Sequence, residues 1–403
     1  MSTIFPLEIS LNIQIVRASG TIYIRSDGSV DPPSAPIQRA GNIYTFSGNI
    51  NESIVVERSD IIIDGAGYIL EGEEEIEGHP TYGIDASNTK KVTIRNVQIR
   101  GFGYGVYLFE VTNLTVSEND IKNCADFGVW VQYSLNSTIS KNNIENCRIG
   151  ILLNAWGNNT VRGNNIVANQ DCGIWIVSDS YTSILRNNIS HSQIGISWWS
   201  TDHAFAIENN IKNNGHGIKL EGSDNNYFAG NIISDNDQGI SLDDSKNNTF
   251  CANNITTNIR GISLFSANNR FYHNYIVNNT NQVDVEAGNI NIWDDGYPSG
   301  GNYWSDYNGT DSNGDGIGDT PYIIDTNNKD NYPRRRMTPY VPSDGMHVPV
   351  WSQWWLWAII ALVGIAVFSF PLGIKYYRNL KEHRGIVQVY GREMRARARA
   401  HFV

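Results

Sequence analysis

Gly150-Ile151-Leu152-Leu153, Gly173-Ile174-Trp175-Ile176, Gly195-Ile196-Ser197-Trp198 and Gly217-Ile218-Lys219-Leu220 are one motif read four times, 22 or 23 residues apart. It extends upstream through Gly83, Gly105 and Gly128 and downstream through Gly239 and Gly261, and an Ile or Val follows every one of these glycines. A fixed period of this length marks a solenoid, in which each repeat is one turn of structure stacked on the last.

Three apolar columns accompany the glycine. The residue after it and the residue two further on (Val106 and Leu108, Ile151 and Leu153, Ile174 and Ile176) alternate with period 2, so they share one face of a strand. A second strand carries Val116, Ile139, Val161, Ile184, Ala206, Phe228, Phe250 and Phe271, and a third carries the Ile series from Ile99 and Ile121 to Ile276. An asparagine column (Asn119, Asn142, Asn164, Asn187, Asn209, Asn231, Asn253, Asn274) stands two residues before each third-strand Ile. Stacked about 4.8 Å apart, such amides can bond along the ladder. Asn also tolerates the left-handed backbone of a sharp corner. The leucine-rich repeat has a similar period, but its convex side carries helix or 3₁₀ turn. Here Asn, Ser, Thr, Gly and β-branched residues fill the connections, which suits strands. The pattern predicts a parallel β-helix.

Around this array the chain divides into six stretches. Residues 1–40 are a lead-in, either a cap or the remnant of an export signal, because Glu8, Asn12 and Gln14 interrupt the apolar pattern and no basic residue precedes it. Residues 41–288 form the β-helix, and 289–333 a cap rich in Gly, Asp, Asn, Trp and Tyr. After the linker 334–350 comes the run 351–374, which has no charged residue and is long enough to cross a bilayer as one helix. Trp351, Trp354, Trp355 and Trp357 crowd one end and Tyr376 and Tyr377 flank the other, as interfacial belts do. In the tail 375–403 Lys375, Arg378, Lys381, Arg384, Arg392, Arg395, Arg397 and Arg399 outnumber Glu382 and Glu393. Such a tail marks the cytoplasmic side; it either binds anionic lipid or only orients the helix. The expectation is a single-pass protein of the cell membrane, β-helix outside and tail inside, in contact with lipid through residues 351–374. The net charge is −11 for the whole chain and the tail is basic, so the body is strongly acidic, which disfavours nucleic acid as a partner.

The cysteines, Cys124, Cys147, Cys172 and Cys251, are too scattered for a disulfide scaffold. Cys124 and Cys147 share a column on adjacent coils, which leaves a disulfide and a stacked thiol pair both open.

Gly41-Asn42-Ile43-Tyr44-Thr45-Phe46, Ile62-Ile63-Asp64-Gly65-Ala66-Gly67-Tyr68, and the Asn-Asn-Ile and Gly-Ile-x-Leu repeats resemble NosD-type β-helix proteins. Gly301-Asn302-Tyr303-Trp304-Ser305-Asp306-Tyr307 and Asp315-Gly316-Ile317-Gly318-Asp319-Thr320-Pro321-Tyr322 resemble the C-terminal module of such proteins on archaeal surfaces. The resemblance covers roughly residues 20–333. It implies a right-handed β-helix of the carbohydrate-binding and sugar-hydrolase group, whose members include lyases, epimerases and hydrolases. It also brings in copper, through a periplasmic member associated with copper delivery. The residues themselves speak against copper: His79, His191, His203, His216 and His273 fall in different columns, and Met stands only at 1, 337, 346 and 394.

Three groups of residues are candidates for function. Asp311, Asn313, Asp315, Ile317 (through its carbonyl) and Asp319 follow the first three-quarters of an EF-hand-like loop, predicting a structural calcium ion; the closing Glu is replaced by Tyr322. Outward first-strand residues place Tyr107, Phe109, Trp130, Gln132, Asn154, Trp175 and Trp199 on one face, a platform on which sugar rings could stack. Glu221 and Asp243 are vertical neighbours at about the spacing of a retaining carboxylate pair, and Lys219 could act as a base in β-elimination. Asp85 follows Tyr82-Gly83-Ile84 as in an epimerase motif, but Ala86-Ser87 stands where Pro-His is expected. Taken together, the chain is expected to be an all-β right-handed parallel β-helix with a C-terminal transmembrane helix, binding an extracellular glycan or a neighbouring surface protein. A polysaccharide lyase or glycoside hydrolase, and a structural stalk without small ligand, are the alternatives.

Overall fold

The computed structural model describes residues 20–73, 75–76 and 79–336. The apolar run 351–374, the tail 375–403, most of the linker and residues 1–19 lie outside the described residues. No described helix is long and apolar enough to cross a membrane.

Sheets of 13, 12 and 11 strands run along the repeat array, and each coil contributes one strand to each. Tyr104–Phe109 lies in the first sheet, Thr115–Ser117 in the second and Asp120–Lys122 in the third; the next coil repeats this with Phe127–Gln132, Thr138–Ser140 and Asn143–Glu145. Pairing between coils is parallel and in register, for instance Val106 with Val129, Val116 with Ile139 and Ile121 with Ile144. The expected columns all point inward: Val106, Leu108, Val116 and Ile121 are fully buried, as are their equivalents up to Leu264, Phe271 and Ile276.

Close approach, not backbone conformation, explains the glycine column. A β-carbon on Gly150 would lie 2.6 Å from the carbonyl oxygen of Gly173, and one on Gly173 2.7 Å from that of Gly195. The same contact recurs from Gly83 to Gly239, and at Gly261 the oxygen is that of Gln282. The third-strand Ile of the coil presses on the same point, as Ile166 does at Gly150.

The asparagine column forms the expected amide ladder and is buried, while the corner position expected for it is taken by its neighbour. The left-handed position belongs to the residue before it: Glu118, Lys141, Gly163, Arg186 and Glu208 all have φ between 54° and 62°. Each Asn turns inward and donates its amide to the Oδ1 of the next, 3.0 Å for Asn119 to Asn142 and for Asn164 to Asn187, and also to a core carbonyl of the second strand, such as Val161 O from Asn187. The ladder continues beyond Asn274 into Asn302 and ends on Asp330. Two further buried ladders line the other corners, Asn214–Asn236–Asn258–Asn279 and Asn226–Asn248–Asn269–Asn291. Cys124 and Cys147 precede Asn169 in the first of these and are free thiols. The hydrogen bond to Cys147 and burial hold the Cys124 thiol well above its usual range.

At the N-terminal end Thr21–Ile24 pairs in parallel with Ser53–Val56 and antiparallel with Val30–Asp31, so the first sheet begins within the lead-in. Ile37–Ala40 closes the second sheet antiparallel to Ile43–Phe46. At the other end Tyr303–Trp304 adds the last strand of the third sheet, and Trp293 and Trp304 are buried against the final coil. Antiparallel closure and a packed cap both blunt edges that would otherwise pair with another chain.

Candidate functional site

The outward face of the first sheet is built from three columns. Register puts Asp85, Tyr107, Trp130, Leu152, Trp175, Ser197 and Lys219 in one of them. The second contains Phe109, Gln132 and Asn154, and farther along Val177, Trp199, Glu221 and Asp243. The third, which strand alternation alone does not reveal, is the residue immediately before each glycine: Tyr82, Tyr104, Phe127, Ile149, Cys172, Ile194 and His216.

At one end these columns merge into a continuous aromatic patch. Tyr107 and Trp130 have ring centroids 5.0 Å apart, and both pack on the third column: Tyr82 with Tyr107 at 5.0 Å, Tyr104 with Trp130 at 5.3 Å and Phe127 with Trp130 at 5.1 Å. Tyr104 and Phe127, 4% and 8% exposed, are the floor. Phe109, Tyr133 and Trp156 step diagonally across three coils, 5.6 and 5.7 Å apart, and Trp156 is 59% exposed. Gln132 accepts a hydrogen bond from the Tyr107 hydroxyl at 3.3 Å, which fixes that ring, and Asn154 follows Gln132 on the next coil. The indole N–H of Trp130 is buried without an acceptor among the described residues. Burial, with Tyr82 and Asp85 nearby, raises the Tyr107 phenol far above its usual range, so it stays a neutral donor.

Trp175 and Trp199 do not belong to this patch. Leu152 and Val177, both buried, stand between them and the rings above. They lie instead toward Lys219, Glu221 and Asp243. There Lys219 Nζ sits 2.6 Å from Glu221 Oε1, and Asp243 is exposed. Glu221 and Asp243 are register neighbours, as expected, and Glu221 is also engaged by a lysine on its own strand. The recess bounded by Ala66, Gly67, Asn96, Gln98, Glu118 and Asp120 lies on another corner, away from these acids.

In the cap, Asp319 Oδ2 accepts hydrogen bonds from Thr310 Oγ1, Ser312 N and Ser312 Oγ, and Asp315 Oδ1 accepts one from Ile317 N. Asp311 accepts from Gly316 N and Asn313 from Asp315 N. These donors hold Asp315 and Asp319 below the usual carboxylate range. Among the described residues no three His, Cys, Asp or Glu side chains are grouped as metal ligands.

Two family models match the chain. "Right handed beta helix region" matches residues 40–189, and "Periplasmic copper-binding protein (NosD)" matches residues 168–309. The described histidines stay in separate columns, and burial raises the Cys172 thiol far above its usual range, away from the thiolate a metal would need. No copper chemistry is derived for this chain. Among solved structures the chain is similar to the A-module of mannuronan C-5 epimerase AlgE6 of Azotobacter vinelandii (14% identity over 68% of this chain and 90% of that one, TM-score 0.47). It is also similar to the Dettilon tailspike protein (15%, 66% and 59%, TM-score 0.51) and to DFA-IIIase from Arthrobacter chlorophenolicus A6 without its lid (13%, 67% and 83%, TM-score 0.44). At these identities the likeness is one of fold. No curated protein sequence matches the chain. The repeat register, the inward columns and the two family matches lead to one conclusion: this chain is a NosD-type right-handed parallel β-helix repeat protein.

Proposed function

We propose that this β-helix is a glycan-binding protein of the cell surface and that the aromatic patch on its first sheet is the binding site. The observation that carries the reading is the joining of Tyr82, Tyr104, Tyr107, Phe127 and Trp130 into one ring cluster, extended by Phe109, Tyr133 and Trp156. A half-exposed aromatic surface of this extent is uncommon on a soluble face and is characteristic of binding sites. Sugars present C–H faces to such rings and hydroxyls to polar groups at the margin, here Gln132, Asn154 and the Tyr107 hydroxyl. In this reading residues 351–374 anchor the chain in the membrane with the β-helix outside, and the 311–319 loop takes a structural calcium ion. The polar end of the sheet supports binding rather than hydrolysis, because Lys219 and Glu221 are engaged with each other.

The test is a glycan array with the full chain in a detergent that carries no sugar headgroup. The expected result is binding that Trp130→Ala weakens about tenfold, or about 1.4 kcal/mol. Binding unchanged in Trp130→Ala and Tyr107→Ala would remove the patch from the function, and release of shortened products would replace binding by catalysis.

A further inference from the structure

The aromatic patch is rimmed by acids. Asp85 is the register neighbour of Tyr107 on the preceding coil, and Glu110 follows Phe109 at an exposed left-handed turn beside Tyr133. Both are close enough to act electrostatically on the phenols they face, Asp85 on Tyr107 and Glu110 on Tyr133. The cation that reaches the patch is Arg148, whose guanidinium lies 5.4 Å from the centre of the Phe127 ring. It is held by two carboxylates, Asp126 at 2.9 Å and Asp171 at 3.2 Å, so the Arg148 cluster is itself net negative.

Resting on the glycan-binding reading above, we infer that the patch takes an uncharged oligosaccharide and rejects polyuronates. A carboxylated sugar seated on Tyr107 or Trp130 would lie among Asp85, Glu110 and the Arg148 cluster, with no free cation among the described residues placed to meet it. Like charges near a low-dielectric ring surface repel more strongly than in bulk water. An uncharged pyranose loses nothing to this field and gains the ring contact. The diagonal Phe109–Tyr133–Trp156 extends the surface across successive coils about 4.8 Å apart, so a short chain is contacted at more sites than a single sugar.

The experiment measures binding of the full chain, in the same sugar-free detergent, to three sets of oligomers of equal length: neutral gluco- and xylo-oligosaccharides, alginate and polygalacturonate oligomers, and chitosan oligomers. The expected result is a neutral set that binds with little dependence on salt and gains affinity with length, and uronates at least about tenfold weaker. Glu110→Lys places a cation on the rim and should bring the uronates closer to the neutral oligomers without changing the affinity for the latter. Uronates bound as tightly as neutral oligomers would overturn the inference and leave glycan binding standing. Chitosan preferred at low salt would overturn it in favour of a cationic ligand. No binding by any set would overturn the glycan-binding reading itself.

Discussion

The two halves of the solenoid gather their aromatic clusters on different sides of the first sheet and core. Between Tyr82 and Trp156 a cluster of rings stands outside on the first sheet, over an interior of Val, Leu and Ile that Phe102 joins from one corner. Between Trp198 and Tyr322 a stack of rings runs inside. Phe228, Phe250 and Phe271 stack at 4.4 and 4.9 Å with interplanar angles of 7° and 5°, and the stack runs on through Trp293 and Trp304 to Tyr322. The outward face of that half carries Ser241, Ser263 and Asp243, with Phe265 exposed as a single ring next to Asp243. Both halves share one backbone plan, and the difference arises from which column an aromatic occupies. An inward ring serves cohesion, and an outward ring is left with surface to offer.

Substitutions in each half can break or sharpen this contrast. The largest effect is expected for Phe250→Ala, which opens a cavity inside the stack and should cost about 3–5 kcal/mol by denaturant unfolding. Hydrogen exchange should show the loosening in coils near residue 250 first, because repeats depend mainly on their neighbours. Glycan affinity measured under native conditions should stay unchanged; its loss would show that the halves are coupled. Asn187→Ala strands Val161 O and Asn164 N in the core, and a loss of about 2 kcal/mol or more is expected.

A pH effect of similar size belongs to the C-terminal half and its border. Burial raises the carboxyls of Asp330 and Asp179 to about 6, against an unfolded value of 3.8. The folded state then holds these protons more tightly, so stability is highest below pH 4 as far as these groups go, and falls as pH rises from about 4 to about 6. Asp64, Asp315, Asp319 and Asp325 are shifted the other way and lose their contribution only as pH falls below about 4. Asp330→Asn should flatten the slope between pH 4 and 6; an unaltered slope would show that Asp330 titrates normally. In the N-terminal half, Trp130→Ala should cost more in binding than in stability, about tenfold in affinity. The smallest effect is expected from calcium, which should raise the melting temperature by a few degrees and be reversed by a chelator, through its preference for the folded cap. No shift would remove calcium from the 311–319 loop.

The fold was legible because its causes are periodic. A Gly column enforced by carbonyl contact and Ile columns enforced by burial recur at each coil, and spacing alone exposes them. The asparagines were legible as a column of amides bonded along the ladder, but not as inward-facing, since an inward amide and a corner amide look alike in sequence. The candidate site was legible in part. Tyr107, Phe109 and Trp130 follow from strand alternation. Tyr82, Tyr104 and Phe127 do not, because the chain bends at the glycine and strict alternation fails there; the recurrent position before the glycine was the available signal. Trp175 and Trp199 share columns with the patch and still fall outside it, because Leu152 and Val177 interrupt the rings. The Lys219–Glu221 ion pair depends on side-chain rotamers, which no spacing reveals.

The end of the asparagine ladder has a consequence for how many coils the protein has. Along the ladder every amide points the same way, each coil donating to an oxygen supplied by the next. Such a row behaves like a growing polymer with a reactive end, since the last amide always asks for one more acceptor. Asp330 supplies it: its Oδ2 accepts from Asn302 N at 2.7 Å and from the Trp304 indole at 2.9 Å. An ionised carboxylate only accepts, so it passes on no donor and calls for no further coil. It works as a stop codon written in hydrogen bonds, fixing the length of the array and denying a second molecule the chance to extend it.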